Sequence, residues 1–360
     1  MKTVELVKDI ELRAAEALKA LLSRVPAIEI VDFEREVFLG SGIRADFVMN
    51  VRHRGEPYAL LAEVKRNGQP LHVRSAIWQL LSYVRYNGDR HVPVLISPYF
   101  SPQSQAICEE AGVSYLDLCG NARLAFDSVY VERSVADKPK PETRALRSIF
   151  SPKAAQILSL MYLEPDREWR VTELAKTANV SLGHVSNVRK ALLEREWIAE
   201  RNEGVALNDP DGLLDVWREN YRRPLGDSIS GYTYLHGSSL TDRLRHVLSP
   251  EGANGRAIGA CQTAAQWLAP FERETTHHFY ADPIGAGRLQ DALDFAPAVK
   301  GPNVVIHVPR DESVFQVVVE PTKGIFCTSA LRTYLDLWSA GERSREAADF
   351  LREKYLRWHQ

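Results

Sequence analysis

Two runs of β-forming residues, Phe47 to His53 and Tyr58 to Lys65, flank Arg54-Gly55-Glu56-Pro57 and restrict what this chain can fold into more than any other stretch. Such runs around a glycine turn read as an antiparallel hairpin. Residue numbers that pair across a hairpin have a constant sum, and a turn centred between Arg54 and Gly55 sets that sum at 109. Asp46 then falls opposite Glu63, with Cβ atoms about 5 Å apart. Side chains alternate along a strand, so Glu63 and Lys65 share a face while Ala62 and Val64 take the other. Two carboxylates and an amine would converge at the end of the hairpin. Such oxygens suit a hard divalent cation, and a lysine beside them can position or activate water. A slip of one residue would send the partner to the opposite face. The plainer reading is that Asp46 caps a strand and Glu63 and Lys65 form a solvated pair.

The following segment, Leu71 to Tyr86, carries Val73, Ala76, Ile77, Leu80, Leu81 and Val84 at helical spacing, the stripe of a core-facing helix. Gln79 and Tyr83 lie four apart beside it. With Asp46 and Glu63-Val64-Lys65, this Gln-x-x-x-Tyr helix resembles the PD-(D/E)xK nuclease superfamily. The resemblance implies a mixed α/β, restriction-endonuclease-like core over about the first 130 residues. It also implies metal-dependent phosphodiester hydrolysis, with Asp46 and Glu63 as ligands of Mg²⁺ or Mn²⁺. Lys65 would assist water, and Gln79 and Tyr83 would orient the strand or the acid. Ala45 stands where the family usually has proline. Some members add a glutamate from the first helix, and either Glu11 or Glu16 could serve.

The whole chain of 360 residues is nearly neutral, at net −2, so it is not a generally basic nucleic-acid coat. Between Arg44 and Arg90, however, eight Lys/Arg stand against four acids (Asp46, Glu56, Glu63 and Asp89). A locally basic surface around an acidic site suits a phosphate backbone; ordinary charge scatter is the bland alternative. No apolar run is long enough to span a membrane, and the N-terminus lacks the apolar block of a signal peptide. A cytoplasmic protein with no membrane partner is expected. Cys108, Cys119, Cys261 and Cys327 are spaced for neither zinc nor a disulfide framework and read as reduced core thiols.

The length predicts two or three domains. After the helix, His91–Ser97 reads as a buried strand, Ser101–Ala111 as a helix, Val113–Asp117 as a strand and Ala122–Val131 as a further apolar run. Asp117 and Asn121 read as turn formers rather than site residues. Asp137-Lys-Pro-Lys-Pro-Glu-Thr143 reads as a linker by composition. A weaker break lies at Tyr221 to Ser230. The expected organisation is α/β and α+β, with domains at 1–136, 147–209 and 210–360.

In the middle segment, Ser151–Tyr162, Thr172–Ala178 and Leu182–Glu196 read as helices, and Ser181 is placed to cap the third. Trp197 to Leu207 reads as a hairpin turning at Asn202-Glu-Gly204. Three helices and a hairpin resemble a winged helix-turn-helix. In that module the third helix enters the DNA major groove. Its outward residues here would be Gly183, His184, Ser186, Asn187, Arg189 and Lys190, with Arg201 on the wing near a backbone phosphate. Asn187 and Arg189 are the types that pair bidentately with adenine and guanine. A winged helix used only for protein contact or dimerisation remains the alternative.

In the last third, Leu213–Tyr221, Ala330–Trp338 and Ser344–Trp358 read as helices, and Val304–Val308 and Val314–Val319 as strands. Leu213-Leu-Asp-Val-Trp after the wing, Ile258-Gly-Ala with Ala264-Ala265, and Tyr334-Leu-Asp-Leu-Trp followed by Arg345-Glu-Ala-Ala resemble the antitoxin of the type IV abortive-infection toxin–antitoxin family (AbiEi-like). That resemblance implies a C-terminal α/β domain, repression of the protein's own promoter and a place in phage defence. DNA, a toxin protein and a second copy of the chain are the partners these readings allow. His236-Gly-Ser-Ser invites a nucleotidyltransferase reading, but no Asp-x-Asp strand follows. His277 and His278 are adjacent on a strand and point to opposite faces, so one ion does not easily take both. The two functional expectations are a metal-dependent DNA nuclease and a non-catalytic regulator or antitoxin.

Overall fold

A computed structural model describes residues 2–38, 44–88, 90–252, 255–271, 276–297 and 301–358, without the side chains of 2–8 and 85–87. The chain is a multidomain α/β protein. It divides into two compact units, Met1–Ala145 with Lys190–Glu196, and Leu146–Arg189 with Trp197–Gln360.

The first unit opens with helix α1 (Lys2–Leu22), then strands β1 (Ile28–Phe38), β2 (Arg44–His53) and β3 (Glu56–Val64). Helix α2 (Pro70–Asn87), strand β4 (His91–Ser97), helix α3 (Pro102–Glu110) and strands β5 (Ser114–Asp117), β6 (Ala122–Phe126) and β7 (Val129–Arg133) follow. All seven strands form one sheet in sequence order. β3, β4 and β5 run parallel and the other neighbours antiparallel. The parallel pairs require crossovers, which α2 and α3 supply. Ala14, Leu18 and Leu22 of α1 pack on Phe47, Met49, Leu60, Ala62 and Val94. On the other face, Val73, Ala76 and Leu80 of α2 and Ile107 of α3 pack on Val48, Leu61, Leu95 and Tyr115. The central strands are thus buried on both faces, as a parallel core must be.

Local chemistry fixes the register. Arg54 (φ 51°) and Gly55 (φ 87°) both adopt positive φ, as a two-residue primed hairpin turn demands. Phe47 pairs with Ala62 and His53 with Glu56, a constant sum of 109. Pro70 starts α2 and Gly88, at φ 87°, ends it, the proline-first, glycine-last asymmetry of helices. Asp117 closes the turn after β5. Its Oδ1 accepts the N–H groups of Cys119, Gly120 and Asn121 at 2.8–2.9 Å, and its Oδ2 accepts Phe100 N–H and Asn121 Nδ2. Asp117 is buried, so truncation strands several donors at once. Asp117→Ala should destabilise the first unit by about 3 kcal/mol or more. A denaturant melt showing less than about 1 kcal/mol of loss would contradict that role.

Helix α4 (Lys140–Ile149) leads into the second unit. Helices α5 (Pro152–Leu163), α6 (Val171–Thr177) and α7 (Leu182–Glu194) precede the hairpin β8 (Ile198–Glu200) and β9 (Val205–Leu207). Trp169 bridges Val205, adding a one-residue third strand to this hairpin. Helix α8 (Pro210–Asn220) follows. The remainder is β10 (Gly226–Gly231), α9 (Gly237–Val247), β11 (Ala257–Gly259), α10 (Cys261–Leu268), β12 (His277–Ala281), α11 (Pro283–Ala292), β13 (Val304–Pro309), β14 (Val318–Thr322), β15 (Ile325–Thr328), α12 (Ala330–Ser339) and α13 (Glu342–Tyr355). Its six strands form a mixed sheet of order β10-β13-β12-β11-β15-β14. A partly buried polar network ties α8 and the segment after it to α12 and α13. Asp336 accepts Tyr221 Oη at 2.6 Å and Tyr280 Oη at 3.1 Å. Arg352 donates to Asp215 at 2.6 Å and Asp211 at 2.7 Å.

Several expectations are corrected. Sequence reading assigned nothing to β1, an edge strand whose many charges hide its alternation. Half of the expected linker is helical, since α4 begins at Lys140. Val314 and Phe315 belong to a 3₁₀ turn capped by the Asp311 side chain, and the strand starts only at Val318. That cap and the burial of both side chains outweigh their β propensity. Among the described residues, no helix is long and apolar enough to cross a membrane. Cys108, Cys119, Cys261 and Cys327 form no disulfide, and burial pushes the thiols of Cys108 and Cys327 up to about 12.

Candidate active site

The end of the β2–β3 hairpin gathers three of the residues singled out in the sequence. Asp46 stands one residue beyond the Phe47–Ala62 pair, and its Oδ2 accepts the Val64 backbone N–H at 2.6 Å. Lys65 follows β3, its backbone N–H bonded to Ile96 O at 2.8 Å. Its Nζ reaches back to Glu63 Oε1 at 2.7 Å. Ala62 packs within the α1-side core with Val64 against it, so the alternation of the strand turns Glu63 away from that core. Glu63 is nevertheless only 7% exposed. The plainer reading, a solvated Glu63–Lys65 pair, does not fit that burial.

The two carboxyls and one helix glutamate are electrostatically coupled. Burial pushes the Glu63 carboxyl above its ordinary range; Asp46 and Glu11 add to this, and Lys65 opposes it. Burial does the same to Asp46, opposed by the Val64 N–H, Lys65 and Arg44. Glu11 of α1 is raised by burial, then by Asp46 and Glu36. Of the two helix glutamates, Glu11 is the one electrostatically coupled to the pair. Glu16 lines a different cleft. Nothing in the sequence distinguished the two, because the choice depends on how α1 crosses the sheet.

Among the described residues, no group of three or more His, Cys, Asp or Glu is placed to hold a metal ion. The two carboxylates nevertheless suit one kind of cation. Their hydrogen bonds use one oxygen of each, leaving Oδ1 of Asp46 and Oε2 of Glu63 as hard donors. Mg²⁺ commonly takes one or two carboxylates and completes its shell with water and substrate phosphate.

The raised carboxyls carry a stability consequence. Both folded-state values lie above the unfolded ones, so the native state binds more protons between them and stability falls as pH rises through that window. At neutral pH the charged pair is a destabilising element. Asp46→Asn and Glu63→Gln should therefore melt higher than wild type at pH 7 in chelator, by roughly 2–4 °C for each kcal/mol relieved. The gain should vanish below about pH 4, where the native carboxyls are neutral. Melting curves across pH decide it, and an unchanged or lower Tm at pH 7 would contradict the electrostatic account.

Gln79 and Tyr83 do not both join this cluster. The Tyr83 ring stands edge-on to His91, with centroids 5.6 Å apart. His91 is level with Ala59, four residues before Glu63, hence about 13 Å along the strand. α2 runs back along β3, so its successive turns leave the carboxylate end. Gln79 lies one turn nearer and is partly buried, with no side-chain hydrogen bond among the described residues. The basic surface is also less free than its composition suggests. Arg44 pairs with Glu36 at 2.6 Å, Arg90 with Glu56 at 2.6 Å and Arg74 with Glu196 of the same unit at 2.9 Å. The Arg85 side chain and Asp89 lie outside the described residues.

On α7, Ser186, Asn187 and Lys190 are exposed and Val185 and Val188 are buried. Ser181 caps the helix through His184 N–H at 3.3 Å. His184 was expected to face outward, but its Nε2 is buried with no hydrogen-bond partner among the described residues. Arg189 is partly exposed and ion-paired with Glu200 of β8. Arg201 is exposed beside it. Arg167 and Arg170 likewise meet Glu164, Glu173 and Glu203.

No protein-family model and no curated protein matches the chain. Two solved structures are similar to part of it. One is EndoMS in apo form, 18% identical at a TM-score of 0.21, covering 29% of this chain and 45% of that one. The other is an EndoMS–dsDNA2 complex, 22% identical at a TM-score of 0.22, covering 29% of this chain and 44% of that one. The chain thus spans less than half the length of either.

Proposed function

We propose that the first unit is a metal-dependent nuclease domain that hydrolyses DNA phosphodiesters, carried on one chain with a DNA-binding winged helix. The observation behind this reading is the meeting of Asp46, Glu63 and Lys65 at one end of β2 and β3, with both acids held above their usual pKa. In hydrolysis, oxygen from water bonds to phosphorus, one P–O bond breaks, and the departing oxygen takes a proton. Asp46 and Glu63 would hold Mg²⁺ or Mn²⁺, which when bound supplies charge neutralisation and Lewis acidity. The Val64 N–H fixes the Asp46 carboxylate, and Glu63 fixes Lys65 Nζ. Lys65 spends one N–H on Glu63 and has others to offer water or a phosphate oxygen. Gln79 can reach inward only from its own turn of α2, and Tyr83 has a packing role against His91.

The proposed division is a nuclease-like domain at 1–136, a winged helix at 147–209 and a C-terminal α/β domain at 210–360. A second reading is a non-catalytic regulator or antitoxin that represses its own promoter, with a toxin protein or a second copy as partner. The exposed Asn187 and Lys190 on α7 favour DNA binding under either reading. The deciding experiment incubates the full chain with single- and double-stranded DNA, with Mg²⁺ or Mn²⁺ and with chelator. Cleavage that needs the cation supports the nuclease. Tight duplex binding with no cleavage of any substrate would remove it and leave the regulator.

A further inference from the structure

A cleft of about 520 Å³ opens between α1 and the turn after β5. It lies at the same end of the sheet as the carboxylates, because Glu63 is level with Leu95 and Leu95 with Tyr115, two residues before Asp117. Arg13 and Arg24 of α1 and Arg133 at the end of β7 line it, beside Cys119 and Gly120. Unlike Arg44, Arg74 and Arg90, these three guanidinium groups make no ion pair or side-chain hydrogen bond among the described residues. The neighbouring acid, Asp117, is buried and its oxygens are taken by the hydrogen bonds of its own turn. Glu16 is the other acid in the lining. At Gly120, whose φ is +110°, a Cβ would sit 3.4 Å from the Arg133 Nη2 atom, so the guanidinium lies against the glycine turn.

Three cations brought together without partners repel one another, and an anion relieves this. β3 and β5 lie two strand spacings apart, about 10 Å, the axial rise of about three base pairs of a duplex at about 3.4 Å each. We propose that this cleft binds backbone phosphates of a nucleic-acid strand that passes the Asp46–Glu63 end of the sheet. The proposal rests on the nucleic-acid reading above, though not on cleavage. A solvated arginine cluster would make no such contact.

The test measures binding of the full chain to a labelled duplex in chelator by fluorescence anisotropy, across salt concentrations. Wild type is compared with Arg13→Ala/Arg24→Ala/Arg133→Ala and with the corresponding triple lysine variant. Loss of three duplex phosphate contacts should reduce the slope of log K against log salt by about 2–3. The lysine variant should keep most of the slope. An unchanged slope in the alanine variant would overturn the proposal while leaving the nuclease reading intact. A reduced slope in a protein that never cleaves DNA would support the cleft and remove the nuclease. If DNA binding is unchanged but the alanine variant alone loses thermal stabilisation by inorganic phosphate, the cleft serves a small phosphate compound and the nucleic-acid assignment falls.

Discussion

Asp46→Ala and Lys65→Ala should each abolish metal-dependent DNA cleavage, lowering its rate by about 10²- to 10⁴-fold. Asp46 is one of the two carboxylates proposed to hold the cation, each with one oxygen free of the hydrogen bonds at this end of the hairpin, so its loss would halve that donor set. Lys65 is the cation hydrogen-bonded to Glu63, so its loss removes both a donor for the reacting phosphate and the hold on that acid. Asp46→Ala also deprives the Val64 N–H of its acceptor, at a cost of about 1–3 kcal/mol if no water replaces it. Asp46→Asn keeps that acceptor and separates the two effects. It should be as inactive as alanine yet melt above wild type. Tyr83→Phe should lose little activity, because the ring that stands edge-on to His91 is kept. Cleavage of labelled DNA with Mg²⁺ or Mn²⁺, alongside thermal melts, measures all four. Asp46 and Lys65 variants that cut as fast as wild type would sink the assignment, and an inactive Tyr83→Phe would return that residue to the site.

The parts of the site legible in the sequence were those set by short-range periodicity. The hairpin sum followed from a two-residue turn, because alternation and a fixed turn leave one register. The α2 stripe was legible for the same reason. What escaped depended on packing between elements. Glu11 and Glu16 are indistinguishable until α1 is laid across the sheet. Tyr83 looked like a site residue because four residues on a helix share a face, yet one turn of rise carried it toward His91. β1 was missed because an exposed edge strand has no need of an apolar face. The α7 expectation held the right exposed residues in Ser186, Asn187 and Lys190, but spacing could not reveal that His184 tucks its Nε2 inward or that Arg189 meets Glu200. A charge count over a segment likewise omits the acids that come from elsewhere in the fold.

Those pairings shape what the proposed winged helix should do. Asn187→Ala should weaken binding to a preferred duplex by about 1–3 kcal/mol, roughly 5- to 150-fold, and relax preference at one base. Asn187 is exposed in the first half of α7, the part of a recognition helix that meets base edges. Arg189→Ala should cost less than an unencumbered arginine would, because Arg189 must leave Glu200 before reading a base. An exposed pair is worth about 0–1 kcal/mol, so Glu200→Gln should tighten duplex binding by up to about fivefold. Arg201→Ala should weaken all sequences alike and lower the salt slope by about 0.9, since a phosphate contact carries no base information. Affinities for a panel of duplexes across salt concentrations distinguish these outcomes. Equal binding of every duplex by wild type, Asn187→Ala and Arg189→Ala would assign α7 to protein contact. Sequence preference would then have to come from elsewhere in the chain, and the regulator reading would lose its support along with the recognition helix.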